Sequence, residues 1–340
     1  MRSRLPILAM TLLAVSCGGG SGPGGPGPVP TPTPNVPTFP VSGVVFYDAN
    51  GNGARDPGED GTVPGVIVRF GTASGQSAAE GRFTVAGVPE GPRTAAVDAA
   101  SLPPFFVAPA VPALPVPPPA GFALAVPAGP PIGNNRPYTF MAFGDSITQG
   151  DGSRRREGYR RTLQDRLTSY WGVRADVIDQ GLSATRSDDG AGRIDAQLRG
   201  ERPAYTLVLY GTNDWNVFAC RSVDTCFTRA NITSMIRSIK AAGGLPVVGT
   251  LPPVNPAFAD RGAADRNAWI EGTNAVLRPL IRAEGGVVAD VHAAMLREAG
   301  SESGLPALFS DHIHPNDRGY EAIADAFFRA IVTPTAAVQP

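Results

Sequence analysis

The sequence predicts an α/β protein: a parallel five-stranded sheet with helices on both faces, preceded by a small all-β sandwich domain. Two observations carry that prediction. From Tyr138 to Ile331, short apolar runs alternate with stretches of helical pattern, the signature of strands joined by helical crossovers. Ahead of them, residues 41–133 hold only short apolar or alternating runs separated by Gly, Asn and Asp turns, which is the pattern of a small β-domain.

The 340 residues suffice for two domains with a buried core, and the formal charge of −1 provides no field for nucleic acid or an anionic membrane surface. The one dense basic run, Arg154 to Arg156, is followed by Glu157 and reads as a solvated loop or helix start. At the N-terminus, Arg2 and Arg4 precede an apolar core, Leu5 to Val15, that is too short to span a bilayer permanently. This is an export signal over residues 1–17. Its end, "LAVSC", resembles a bacterial lipoprotein signal with Ala14 where Leu is usual, so Cys17 is the expected lipid attachment point. The alternative is an ordinary cleaved signal that leaves Cys17 without a role. The expected location is therefore outside a bacterial cell's cytoplasm, on the cell surface or in the periplasm through a lipid anchor, otherwise secreted. Residues 18–40, in which 15 of 23 are Gly or Pro, form a tether that buries nothing.

In the β-domain the expected strands are "VSGVVFYD", "GVIVRFG", "GRFTVAGV" and "RTAAVDA", with "GFALAVPA" last. The Pro-rich stretch from Leu102 to Pro119 reads as a loop or edge segment, because Pro removes ladder donors. In the second domain, residues 136–332, the expected strands are "YTFMAFGD", "ADVIDQG", "YTLVLYG", "LPVVGTL" and "GVVADVH". Helices are expected near Tyr159–Trp171, Gly190–Gly200, Arg229–Ala242, Ala264–Ala283 and Asp317–Ile331, and residues 333–340 are a tail. In such sheets ligands bind beyond the carboxyl ends of the strands, which is where "GDS", "DQG" and "YGTND" fall.

Ser146 follows the first of these strands in "FGDSITQG". Alone it reads first as a helix cap, since a serine hydroxyl needs a neighbouring base before it becomes a nucleophile. "FSDHIHPND" offers that base: Asp311 and His314 are three apart, a spacing that can set carboxylate and imidazole on one side of a turn, with His312 turned away. A metal reading would need a third ligand, and His292 with Asp290 in "VADVH" lacks a familiar ligand spacing. Gly181 and Asn213 also follow buried strands. A glycine lets its amide approach a substrate closely and an Asn offers a side-chain N–H, the donor types that an oxyanion requires.

"GDSIT", "DQGLSATR", "YGTND" and "DHIHPNDRGY", in this order, resemble the SGNH (GDSL-type) hydrolases over about residues 136–332, with Ile147 and Asp179 in place of the commoner Leu and Asn. The resemblance implies flavodoxin-like layering and a serine esterase of the carboxylesterase or lysophospholipase type. By it, Ser146 is the nucleophile, His314 the base and acid, and Asp311 its orienting partner. The backbone amides of Ser146 and Gly181 with the Asn213 side chain form the oxyanion hole, and no cofactor enters the chemistry.

Cys220 and Cys226 enclose a short polar loop that export would favour closing as a disulfide; buried free thiols are the alternative. The insertion Trp215 to Phe227 follows Asn213 and would wall an acyl pocket, where Trp215 and Phe218 could bind an apolar chain or cover core. Residues 48–59, "DANGNGARDPGE", match the calcium-loop pattern D-x-[DN]-x-[DN]-G-x₅-E through Asp48, Asn50, Asn52, Ala54, Asp56 and Glu59. A strand precedes the loop where an EF-hand has a helix, and the stretch resembles the calcium-binding B-type domains of bacterial serine-aspartate repeat surface proteins. A structural Ca²⁺ is expected there, with a hydrophilic hairpin loop as the alternative. Three functions remain open at this point: an exported acyl esterase, an O-acetyl polysaccharide or cell-wall deacetylase of the same fold, and a non-catalytic surface-binding protein. The expected partners are thus a small-molecule or polysaccharide ester and a membrane reached through Cys17.

Overall fold

The computed structural model describes residues 36–334. The export signal, Cys17, the Gly/Pro tether up to residue 35 and the tail beyond residue 334 lie outside the described residues. Among the described residues no helix is long and apolar enough to cross a membrane.

The N-terminal part contains strands β1 (Thr38–Tyr47), β2 (Ile67–Phe70), β3 (Ala73–Gln76), β4 (Arg82–Pro89), β5 (Gly91–Arg93), β6 (Ala96–Val97), β7 (Leu114–Val116) and β8 (Leu124–Ala128). They pair as three small sheets, β4-β1-β8, β3-β2-β6 and β5-β7. The Pro-rich segment does supply an edge strand, because β7 pairs with β5 alone.

The second part runs β9 (Arg136–Gly144), α1 (Ser146–Gln149), α2 (Arg160–Trp171), β10 (Asp176–Gly181), α3 (Ser187–Glu201), β11 (Pro203–Leu209), α4 (Thr228–Ala241), β12 (Leu245–Gly249), α5 (Ala263–Ala283), β13 (Val287–Ala289), α6 (Val291–Ala299) and α7 (Asp317–Val332). All pairings in its five-stranded sheet are parallel, in the order β10-β9-β11-β12-β13. With β9 counted first this is the 2-1-3-4-5 order of doubly wound folds. The order reverses between β9 and β11, the place where such sheets open a crevice.

The near-continuous apolar strands explain why both faces are covered. On β9, Phe140 and Ala142 join a core with Leu163, Leu167 and Trp171 of α2 and Phe327 of α7. The alternate residues Met141 and Phe143 join a separate core with Ile194 of α3, Ile232 and Ile236 of α4 and Ile270 of α5. A strand buried on two faces is apolar at nearly every position, and β11, with Thr206 as its one aliphatic hydroxyl, is buried throughout its seven residues.

The first of these cores continues into the β-domain. Tyr47 packs 4.5 Å from Tyr138 and 5.5 Å from Trp171 between ring centroids, and Phe106 stacks on Trp171 at 5.4 Å. Burial of these rings, at roughly 25 cal/mol per Å² of apolar area, stabilises the junction. Helix α6 begins at Val291, inside the expected last strand "GVVADVH". Asp290 stops the strand by capping α6, its side chain accepting from the Ala293 N–H at 3.2 Å.

Candidate active site

Three strand ends meet at the switch point. Gly144 closes β9 where a Cβ would lie 2.1 Å from Thr148 Oγ1 and 2.4 Å from the Leu209 carbonyl, so only glycine lets the chain turn there. Asp145 then caps α1, accepting from the Ile147 N–H at 2.9 Å, and Ser146 occupies the first helical position, 6% exposed.

Ser146 Oγ lies 3.0 Å from His314 Nε2, and His314 Nδ1 lies 2.7 Å from Asp311 Oδ2. The other Asp311 oxygen accepts from the amides of Ile313 and His314 at 2.8 and 2.7 Å, so the three-residue spacing is that of a side-chain-closed turn. Burial would raise the Asp311 pKa, but the two amides and the imidazole outweigh it and hold the carboxyl below its usual range. His312 faces elsewhere, its ring 6.0 Å from Phe258 and 3.8 Å from Asp311. Of the two neighbouring histidines, His314 is the one joined to Ser146.

Asn255, which nothing in the sequence singled out, holds this turn from behind. Its Nδ2 donates to the Asp311 carbonyl at 3.0 Å and its backbone N–H to the His312 carbonyl at 3.1 Å.

At the end of β11, Asn213 donates one side-chain N–H to the Thr185 carbonyl at 2.9 Å. Its neighbour Asp214 is fully buried and accepts from the Ser187 amide and the hydroxyls of Ser187 and Thr228, which fixes the turn. At the end of β10, Gly181 is sterically obligatory, since a Cβ would lie 2.3 Å from the Gln149 amide nitrogen. The Gly181 N–H is engaged: it donates to Asp179 Oδ1 at 2.9 Å, and Asp179 also pairs with Arg160 at 3.1 Å. The departure from Asn at position 179 thus places a carboxylate on this amide.

Two buried ionisable groups stand behind the site. Burial pushes the Asp145 carboxyl up to about 7, against the Ile147 amide and the charge of His314, and its Oδ2 has no partner. Arg266, 6% exposed, donates to the Thr212 carbonyl, and burial lowers its pKa to about 10.

Cys220 and Cys226 are joined at 2.00 Å, which closes the insertion after Asn213. Its two aromatic residues part company. Trp215, 7% exposed, packs 5.6 Å from Trp269 under the Arg221 guanidinium, whereas Phe218 is 92% exposed.

In the 48–59 loop the oxygen donors suit a hard cation, and Asp48 and Glu59 are buried. The loop curls inward: Asp48 accepts from the amides of Gly51 and Gly53, Glu59 from those of Ala49 and Asp56, and Asp56 from the side chains of Asn50 and Asn52. Among the described residues no group of three or more His, Cys, Asp or Glu side chains is arranged to hold a metal. Asp290 and His292 form no such group either, because Asp290 caps α6 and pairs with Arg278 at 2.9 Å.

Chemically, a hydroxyl bonded to an imidazole whose far nitrogen meets an ionised carboxylate can surrender its proton while attacking an electrophilic carbon. Esterase TesA of Pseudomonas aeruginosa is 30% identical over 105 residues, 31% of this chain and 50% of that protein, so the chain spans about half the length of this curated relative. The acetylxylan esterase Axe2 of Geobacillus stearothermophilus superposes with a TM-score of 0.47 at 19% identity, over 58% of this chain and 95% of the other. A GDSL-like lipase of Bacteroides thetaiotaomicron gives 0.44 at 21%, over 57% and 87%. Residues 142–322, more than half of the 340, match the sequence model of the GDSL-like Lipase/Acylhydrolase family. The chain belongs to that family.

Proposed function

We propose that the protein hydrolyses carboxylic acyl esters through an acyl-enzyme on Ser146. The supporting observation is the continuous hydrogen-bonded path from Ser146 Oγ to His314 Nε2 and from His314 Nδ1 to Asp311 Oδ2. His314 takes the Ser146 proton as Oγ adds to the acyl carbonyl, then returns it to the departing alkoxide. A water deprotonated by His314 next attacks the acyl-enzyme, and the proton passes back to Ser146 as the acid leaves. The developing oxyanion is met by the amides of Ser146 and Gly181 and the second N–H of Asn213. The test is a panel of p-nitrophenyl esters from acetyl to long-chain, together with acetylated sugars and a fluorophosphonate label followed by peptide mapping. Hydrolysis with the label on Ser146 is expected; a label elsewhere, or no turnover of any ester, overturns the reading.

A second substrate reading, removal of O-acetyl groups from polysaccharide, is favoured by one observation. Trp215 packs on Trp269 beneath the Arg221 guanidinium, and the cavity these side chains share with Asp265 is polar as well as aromatic, a lining suited to a sugar. Activity confined to acetyl esters would select it.

Asp179 leads to an expected gain of function. Before the Gly181 amide can serve an oxyanion, the Asp179 carboxylate must let go of it, and charged acceptors bind about twice as strongly as neutral ones. Asp179→Asn keeps an acceptor of the same shape and is expected to raise kcat about fivefold, equivalent to ~1 kcal/mol. An unchanged or lower kcat in steady-state assays would show that the carboxylate does not compete.

We further infer export and a structural Ca²⁺ in the 48–59 loop. The closed Cys220–Cys226 pair supports an oxidising compartment. In the loop, the buried carboxylates of Asp48 and Glu59 and the inward curl of the chain support the cation, which would draw Asp56 and the Asn50 and Asn52 oxygens toward it. Saturating Ca²⁺ is expected to stabilise the fold by ~2–4 kcal/mol, read as a rise in Tm that Asp48→Ala eliminates. A melting curve indifferent to Ca²⁺ would remove the site.

A further inference from the structure

Arg193 projects from α3 into the carboxyl edge of the sheet and binds three strand ends at once. Its Nη2 lies 3.1 Å from the Gly144 carbonyl, 2.5 Å from the Gln180 carbonyl and 2.8 Å from the Tyr210 hydroxyl, with Nε 3.1 Å from the same hydroxyl. The guanidinium carbon sits 4.2 Å above the Phe143 ring. These acceptors matter by position. Gly144 and Gly181 are cross-strand partners, and the peptide that begins with the Gln180 carbonyl ends in the Gly181 N–H. A donor on that carbonyl therefore fixes the plane of the Gly181 amide and, by polarising the peptide, strengthens it as a donor. The third contact extends further: the Tyr210 hydroxyl meets Thr185 Oγ1 at 3.1 Å, and the Thr185 carbonyl orients the Asn213 side chain at 2.9 Å.

We propose that Arg193 is the positioning residue of the oxyanion site, holding the Gly181 amide through the Gln180 carbonyl and the Asn213 amide through Tyr210 and Thr185. The inference rests on the ester-hydrolysis reading above. Donors aimed at an oxyanion act only if they are in place before the charge develops, and one fixed cation that reaches all three strand ends supplies that order. It also adds positive potential behind the two amides, which a neutral staple would not.

The test uses Arg193→Gln, Arg193→Lys and Tyr210→Phe in the full chain. Each is compared in kcat and KM on p-nitrophenyl acetate, in Tm, and in affinity for an alkyl trifluoromethyl ketone. The ketone reports on the oxyanion: Ser146 Oγ adds to its carbonyl, the hydroxyl proton passes to His314, and the carbonyl oxygen becomes the bound anion. Arg193→Gln is expected to lose about tenfold to a hundredfold in kcat with KM nearly unchanged, and the ketone should weaken by the same factor. Arg193→Lys should recover part of both losses. Tyr210→Phe should cost about threefold to tenfold, and combined with Asn213→Ala it should cost no more than Asn213→Ala alone. A purely structural arginine would lower Tm yet leave kcat and ketone affinity within about twofold of the parent. That result overturns the inference, and if Arg193→Gln does not fold, wild-type ketone affinity in Tyr210→Phe does the same. If the parent protein neither turns over esters nor binds the ketone, the ester-hydrolysis reading itself fails and takes this inference with it.

Discussion

Ser146→Ala is expected to lower kcat/KM on p-nitrophenyl acetate by about 10⁴- to 10⁶-fold while leaving Tm within a few degrees of the parent. The two halves of that expectation come from different features. Activity falls because the hydroxyl is the only atom removed, and it is the atom 3.0 Å from His314 Nε2. Stability holds because Oγ carries no other hydrogen bond. The turn itself depends on Gly144 and on the Asp145 cap to Ile147, neither of which the substitution touches. Some rate over water should survive, since the amides of Gly181 and Asn213 remain to bind an oxyanion. A variant that keeps its rate, or that still takes a fluorophosphonate, would sink the assignment of Ser146. A variant that loses both rate and fold would show that the hydroxyl is structural, and circular dichroism with thermal melting separates the two outcomes.

How much of this was legible in the sequence depends on range. Strands buried on two faces announce themselves as apolar runs, so the five sheet strands and the helices between them could be placed from pattern alone. Ser146, Gly181, Asn213, Asp311 and His314 could be singled out because each directly follows a strand or shares a turn with its partner. What stayed hidden acts across distance. Asn255 holds Asp311 and His312 over a separation of 56 or more residues, and in "PPVNP" it looks like any loop asparagine. Arg193 looks like an exposed helix residue until the sheet edge is seen beneath it. Asp179 was visible as a departure from Asn, yet that it would occupy the Gly181 amide requires the geometry of β10. Helix α6 is hidden because Val291 follows the apolar run Val287–Ala289 after a single residue, and that residue, Asp290, is the cap that ends the strand and starts the helix.

Asp311→Asn is expected to reduce kcat by about 10⁴-fold with little change in KM, and the reason lies in where each oxygen is committed. Oδ1 accepts two backbone N–H groups, from Ile313 and His314, and Oδ2 accepts from His314 Nδ1. An Asn must give up one of these roles. If its oxygen stays on the two amides, its NH₂ faces Nδ1, which must then be an acceptor, and the imidazole proton moves to Nε2. In that tautomer Nε2 can no longer take the Ser146 proton. If the amide flips, its oxygen serves Nδ1 but its NH₂ meets two N–H donors, and the turn that carries His314 loosens. Asn255 and the Ser310 amide, which bonds the His314 carbonyl at 3.0 Å, resist that loosening from outside, so the first outcome should prevail. The two can be told apart: the wrong tautomer leaves Tm nearly intact and keeps the ring in place, whereas a loosened turn lowers Tm by several degrees. A third result, near-parent kcat with the fold intact, would mean that the carboxylate charge does not support proton transfer from Ser146 to His314.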